Sequence, residues 1–283
     1  MRVTRTPRQA ALPNLITIGA MKCGTTSLHY YLDQHPDIAM SRRKELDFFS
    51  GASWNRGLDW YKAQFDPAAA IRGESSPSYT RHPRNTGVAG RMYSVIPDAK
   101  LIYLVRDPVA RIVSHYLHNY SIGHEKRPIV EVLSDPNCYH YVEDSKYFLQ
   151  LEQYLHFFAC SRILVLTYDE LLHDRAVTLR QVFEFLGVDS SFHDSKFERI
   201  RHRTGDRRRK TRLGTALATA TRGVELPDWL SFQVQRLLPY PFSRRIERPE
   251  VKGALQERLA RELEDDANRL RELTGKEFPG WCV

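Results

Sequence analysis

The chain has 283 residues, 42% of them hydrophobic, which is enough for one large α/β domain or two small ones. Its 42 basic and 34 acidic side chains leave a formal charge of +8, which favours nucleotides, nucleic acid, sulfated or phosphorylated sugars, or membrane surfaces as partners. The four cysteines, Cys23, Cys138, Cys160 and Cys282, are far apart and show no Cys-x-x-Cys or Cys/His spacing, so they indicate neither a zinc site nor a disulfide framework and suit a reducing compartment.

The first 13 residues read as an N-terminal tail, basic but without an apolar stretch of signal-peptide length. No later run approaches the roughly 18 apolar residues of a membrane span, so a cytoplasmic protein without a membrane span is expected. Residues 15–18, "LITI", form the first buried strand, followed by the turn "GAMKCGTTS" and helical spacing at Leu28, Tyr31 and Leu32. Segment 41–98, rich in aromatics, Gly, Pro and Ser, reads as loops and short helices over the open edge of a sheet, and 119–145 reads the same way. Its aromatics Phe48, Phe49, Trp54, Trp60 and Tyr61 are most simply core, with an acceptor cleft as the other reading for some of them.

The second strand is "KLIYLV" at 100–105, leading into helical positions Ile112, Val113, Tyr116 and Leu117. The third is "RILVLT" at 162–167, leading into Leu179, Val182, Phe183 and Leu186, with Gly187 as the helix stop. Strand then helix, three times over, predicts an α/β fold with a central parallel sheet flanked by helices. Residues 199–212, "RIRHRTGDRRRKTR", place one acid among eight Arg or Lys and read as a basic loop. From about 250 to 274, Leu255, Leu259, Leu263, Leu270 and Leu273 mark an amphipathic C-terminal helix. No repeat, long Gly/Ser linker or second core is visible, so 14–283 is expected to be a single domain.

In open α/β sheets, ligands settle beyond the carboxyl ends of strands, where the next helix presents free N–H groups. The turn after residue 18 suits a phosphate. Gly24 permits close backbone approach, Thr25, Thr26 and Ser27 bring hydroxyls, and Lys22 adds a positive charge. A nucleoside-triphosphatase loop would place lysine after the second glycine with a hydroxyl for magnesium, whereas Lys22 precedes Gly24. Asp107 directly follows Arg106, and Tyr168-Asp169-Glu170 opens a helix, so no acidic residue ends a second strand in position to hold magnesium. ATP hydrolysis is disfavoured.

Lys22-Cys23-Gly24-Thr25-Thr26-Ser27 after a strand resembles the 5′-phosphosulfate loop of sulfotransferases that use 3′-phosphoadenylyl sulfate (PAPS). "LVRDPVARIVSHY" (104–116) resembles their 3′-phosphate motif, an arginine at a strand end and a serine eight residues on, here Arg106 and Ser114. The resemblance runs from about 14 to 190 and is closest to heparan sulfate N- and 3-O-sulfotransferase-like domains and their bacterial relatives. "HPDIAMSRRKELDFF", "GLDWYKAQF", "GESSPSY" and "RILVLTYDELL" follow in the order those domains show.

The resemblance implies a P-loop-like sulfotransferase fold, and PAPS as sulfuryl donor with adenosine 3′,5′-bisphosphate as product and no metal. Cys23 is implied as part of the donor-binding loop, Lys22 as binding and catalytic, and Glu45 as the general base. The implied reaction is in-line displacement at sulfur by a hydroxyl or amine, with a base on one side and positive charge at the leaving phosphate on the other. A carbohydrate, glycolipid or small metabolite is the expected acceptor, and nucleic acid is not expected. A histidine base, His115 or His118, is the alternative within the family, and an ordinary ion pair with Arg42, Arg43 or Lys44 is the alternative for Glu45.

The chain departs from the animal enzymes at Ser75, where they carry lysine, and at Asp47, where they carry histidine or glutamine. Their cysteine-bridged loop has no counterpart here. Asp47 and Glu74 read equally as structural or catalytic. The basic run admits three readings: a solvated loop, a loop closing over the donor, and a patch for nucleic acid or sulfated polymer. The last gives a rival of another class, a non-catalytic anion-binding module on a P-loop-like fold.

Overall fold

The computed structural model describes residues 12–51, 53–198, 208–210 and 243–283, the stretch 208–210 by its backbone. Most of the basic run 199–212 therefore lies outside the described residues, as does most of the N-terminal tail. Five parallel strands form the central sheet: β1 (Leu15–Gly19), β2 (Ile38–Met40), β3 (Ile71–Ser75), β4 (Lys100–Val105) and β5 (Ile163–Thr167). Their order is β2-β3-β1-β4-β5. All five residues of β1 are buried, as its unbroken apolar run requires for a strand covered on both faces.

The expected strands at 15–18, 100–105 and 162–167 are all present, the last beginning at Ile163. The reading of 41–98 as edge-covering loops is corrected, because β3 lies inside the sheet between β2 and β1. Its sequence "IRGES" disguises it: Arg72 turns to backbone carbonyls of Leu12 and Ala69, and Glu74 is buried on hydroxyl partners. Gly73 is required where β3 passes Met40, since a Cβ there would come within 2.5 Å of Met40 Sδ.

Parallel strands need crossover connections, and here they are helical. Helix α1 (Thr25–Leu32) follows β1, α2 (Gly57–Lys62) and α3 (Val88–Val95) flank β3 in the chain, and α4 (Pro108–Ile122) follows β4. Then come α5 (Ile129–Ser134), α6 (His140–Glu143) and α7 (Tyr147–Leu155) before β5, and α8 (Tyr168–His173) and α9 (Arg175–Leu186) after it. Gly187 ends α9 in the left-handed conformation expected of a helix stop. The amphipathic helix is α10 (Ala254–Thr274), with Leu259, Leu263 and Leu270 buried against α7 and α4. Asp266 of α10 caps α7, accepting the Phe148 and Leu149 N–H groups at 2.9 and 2.8 Å.

Among the described residues, the buried side chains form two clusters. The larger surrounds the sheet, and a smaller one joins Val109, Ile112, Val113 and Tyr116 of α4 to α5, α6 and α10. The sequence showed only the first, because the second is completed only when α10, more than a hundred residues further along the chain, closes over α4, α5 and α6. Within the basic run, residues Arg208–Lys210 form strand β6, antiparallel to β7 (Ser243–Arg245), where a loop was expected. Backbone β6 lies against α4.

The strand order reverses at β1: the chain leaves it for β3 and β2 on one side and returns to β4 and β5 on the other. The turns after β1 and β4 therefore open side by side at the carboxyl end of the sheet, where a crevice forms.

Candidate active site

A cavity of about 340 Å³ occupies that crevice. It is lined by Met21, Lys22, Gly24, Thr25, Thr26 and Ser27 after β1, by Arg106, Ser114 and His118 around α4, and by Lys44, Glu45 and Pro77. Tyr31, Tyr168, Leu171, Leu172 and Arg175 complete the wall. Of the residues singled out in the sequence, Lys22, Gly24, Thr25, Thr26, Ser27, Glu45, Arg106 and Ser114 all meet here.

Local geometry explains why the loop has this sequence. Gly24 caps α1 at φ 93°, a conformation that favours glycine, and a Cβ would come within 3.1 Å of the Tyr168 ring. Ser27 N–H donates to Gly24 O at 2.9 Å, while the Thr25 and Thr26 amides precede the first helical bond and add to the positive end of the helix. Lys22 itself sits at φ 74°, an unusual backbone state for a lysine of the kind that marks functional sites.

Cys23 departs from the donor-loop expectation. Its side chain does not line the cavity: it is fully buried, with Sγ 3.6 Å from the Tyr147 hydroxyl, and burial pushes its thiol pKa up. Its N–H is used within the turn, donating to Ala20 O at 3.2 Å. Cys23 thus anchors the loop from behind.

Arg106 leaves the end of β4 and lies over the ring of Tyr168, 4.5 Å from its centroid. Asp107 is occupied elsewhere: its carboxylate caps α4 by accepting Ala110 N–H and also accepts Cys282 N–H, both at 2.6 Å. Tyr168 is held by a capping box in which Thr167 Oγ1 accepts Glu170 N–H (3.0 Å) and Glu170 Oε2 accepts Thr167 N–H (2.8 Å). The Thr-x-x-Glu spacing immediately after a strand was the available signal for Tyr168, which sequence reasoning passed over together with Lys44, Tyr31 and Arg175.

Glu45 is fixed by its backbone. Its N–H donates to Ser75 O at 3.0 Å, φ is 64°, and the segment that follows is anchored by Phe48, stacked on Tyr61 with ring centroids 4.2 Å apart. Burial alone would raise the Glu45 pKa. The Lys44 charge and hydrogen bond, helped by the charges of Arg81 and Lys22, bring it below the usual carboxylate value. Lys44 Nζ donates to Glu45 Oε1 at 2.6 Å, so the ion pair is present, and both residues also line the cavity.

The other acids singled out in the sequence, Glu74 and Asp47, are not at the cavity wall. Glu74 is completely buried and accepts from Tyr61 (2.6 Å) and Tyr79 (2.8 Å) at Oε1 and from Ser76 (2.7 Å) at Oε2. It is neither a helix cap nor an arginine partner but the hub of a hydroxyl cluster. Asp47 accepts from Ser78 and takes its N–H to Ser76 Oγ (3.1 Å), which makes it a brace for the same segment. Phe48, Phe49 and Tyr61 are core residues, while Trp54 and Trp60 are partly buried against them, and none of these aromatics lines the cavity.

Among the histidines, His118 lines the cavity and His115 does not. His115 faces Tyr141 and Asp144, and burial with the Arg111 charge holds its pKa well below the usual value. His29 meets the Ser75 hydroxyl at 3.0 Å, and burial with the Lys44 charge brings its pKa to about 4. No helix among the described residues is long and apolar enough to cross a membrane.

Residues 12–213 match the sulfotransferase domain family. The chain is 43% identical over 121 residues to the membrane-associated sulfotransferase kil1 of Dictyostelium discoideum, covering 41% of this chain and 24% of that protein. It is 32% identical over 201 residues to heparan sulfate glucosamine 3-O-sulfotransferase 3B1 of Mus musculus, covering 66% of this chain and 49% of the relative. It therefore spans about a quarter of the first relative and half of the second. A solved sulfotransferase from Alicyclobacillus acidocaldarius superposes with a TM-score of 0.70 at 26% identity, covering 96% of this chain and 100% of the other.

Proposed function

The chain belongs to the sulfotransferase domain family, and we propose that it moves a sulfuryl group from PAPS to a hydroxyl or amine acceptor by in-line displacement. One observation carries this reading. The loop after β1 and the Arg106–Ser114 pair after β4, separated by some 80 residues of chain, line one cavity with a carboxylate on its wall. A donor with two phosphate groups would place one at the loop amides and Lys22 and the other at Arg106 and Ser114.

The residues on hand fit the chemistry. In the proposed reaction the acceptor's lone pair forms a bond to sulfur while the bond from sulfur to the bridging oxygen breaks, its electron pair leaving with adenosine 3′,5′-bisphosphate. Glu45 takes the acceptor's proton. It is ionised at neutral pH because Lys44, Arg81 and Lys22 outweigh its burial. Lys22 and the Thr25 and Thr26 amides at the start of α1 stabilise the charge that develops on the leaving phosphate. Arg106, stacked on Tyr168, presents a fork of donors suited to a phosphate.

Similarity to a heparan sulfate 3-O-sulfotransferase supports a sugar acceptor, and glycolipids and small metabolites fit the same cavity chemistry. The test is incubation with labelled PAPS and a panel of hydroxylated and amino acceptors, reading release of adenosine 3′,5′-bisphosphate. Turnover with any acceptor supports the reading. If no acceptor supports turnover and PAPS leaves the melting temperature unchanged, the proposal fails, and salt-sensitive heparin or DNA binding would favour an anion-binding module instead.

A further inference from the structure

Arg81 lies just behind the cavity wall, in the stretch that follows Pro77–Tyr79. Its surroundings are unusual for a guanidinium. Nη2 donates to the thioether of Met21 at 2.8 Å, and Nε is buried without a hydrogen-bond partner among the described residues. A thioether is a weak acceptor, and an unmet buried guanidinium N–H is costly. Asp144 feels the Arg81 charge but takes its short contact, 2.5 Å, from Arg84.

The position of this cation matters more than its packing. Met21 immediately precedes Lys22 and lines the cavity, while the Arg81 charge also reaches Glu45, the proposed base. Through Met21, Arg81 touches the residue next to the group proposed to stabilise the leaving phosphate, and its charge acts on the group proposed to accept the proton. In the proposed reaction the sulfuryl group is transferred between those two groups, with negative charge on its non-bridging oxygens. Met21 is flexible and unbranched, so it can swing aside when an anion arrives.

We propose that Arg81 is a further catalytic residue, donating to the non-bridging sulfuryl oxygens of the donor once the Met21 side chain moves off it. The proposal rests on the PAPS reading above. It makes a distinction that a structural role would not: PAPS carries the sulfuryl group and adenosine 3′,5′-bisphosphate lacks it. The loss of Arg81 must weaken the first ligand and spare the second.

The experiment is calorimetric titration of the wild type, Arg81→Gln and Arg81→Lys with each ligand, alongside melting temperatures. The expected result is a loss of about tenfold or more in PAPS affinity for Arg81→Gln, a smaller loss for Arg81→Lys, and affinity for adenosine 3′,5′-bisphosphate within about twofold of wild type. Arg81→Lys keeps the charge without the fork, so it serves as the informative variant if Arg81→Gln does not fold. Equal changes for both ligands, or none for either, overturn the role of Arg81 while leaving the sulfotransferase reading intact. A wild type that binds neither ligand overturns both.

Discussion

The hydroxyl of Tyr147 accepts the backbone N–H of Arg106 at 3.3 Å. The same oxygen lies 3.6 Å from Cys23 Sγ, so one side chain on α7 fastens the loop after β1 to the end of β4. These are the two places where the donor's phosphates are proposed to sit. Tyr147→Phe removes the tie and leaves two buried polar groups without it. The expected outcome is a stability loss of about 1–3 kcal/mol by chemical denaturation. Affinity for adenosine 3′,5′-bisphosphate should fall by about threefold or more, since small misplacements of binding groups are felt strongly. Lower stability with unchanged affinity would make the tie purely structural.

Lys22 and Glu45 face the same cavity but should fail differently when replaced. Lys22→Ala is expected to weaken donor binding and turnover together, because the charge acts on both the bound and the departing phosphate. Glu45→Gln should leave donor affinity near wild type and lower turnover by roughly 10²-fold or more. Titration of the donor and release of adenosine 3′,5′-bisphosphate separate the two. Undiminished turnover in Glu45→Gln would pass the role of base to another group, with His118 the histidine on the cavity wall.

The pH profile follows from Glu45. Its folded pKa lies below the usual carboxylate value, burial being outweighed by Lys44, Arg81 and Lys22. The carboxylate is the active form of a base, so turnover should hold as pH falls and drop only when pH passes below that depressed value. Lys44→Met removes the largest lowering influence and should shift the acid limb to higher pH, provided donor binding is saturated. The stability linkage has the same sign: the contribution is present above the unfolded pKa and is lost as pH falls through the folded one. With 56% of the Glu45 side chain exposed, that contribution is small, and the kinetic limb is the better measurement.

Glu74 gives a contrasting prediction. Burial raises its pKa although three hydroxyls donate to it, so the folded state holds its proton to higher pH than the unfolded chain does. Its contribution therefore favours the folded state at acid pH and declines as pH rises above the unfolded value. Glu74→Ala strips the partner from Tyr61, Tyr79 and Ser76 at once and should destabilise by about 3–5 kcal/mol. Glu74→Gln preserves an acceptor for the tyrosines and should lose far less while flattening the pH dependence. Denaturation curves at several pH values decide it.

The parts of this molecule that sequence made legible are those with a single cause. Strands β1, β4 and β5 announce themselves because an uninterrupted apolar run has little else to become, and Gly24 because nothing but glycine suits its backbone. Strand β3 was illegible because its buried face carries Glu74, whose acceptability depends on Tyr61 and Tyr79 from elsewhere in the chain. Cys23 fell inside a binding motif yet turned inward, a choice set by Tyr147, more than a hundred residues away in the chain. Arg81 carried no motif at all, and its setting is visible only when Met21 and Glu45 are placed beside it.

Lys22, Glu45 and Asp47 all hold left-handed backbone angles, at φ 74°, 64° and 53°. Each such residue carries about 1–3 kcal/mol of conformational strain. Phe278 holds such an angle as well, at φ 49°, away from the cavity, whereas Lys22 and Glu45 line it, so part of the fold's tension sits where the reaction is proposed to occur. A search for heat-resistant variants should therefore find gains with glycine or asparagine at 22 and 45, and those variants would melt later and turn over less. Thermal selection and selection for turnover would pull this protein in opposite directions at these two positions.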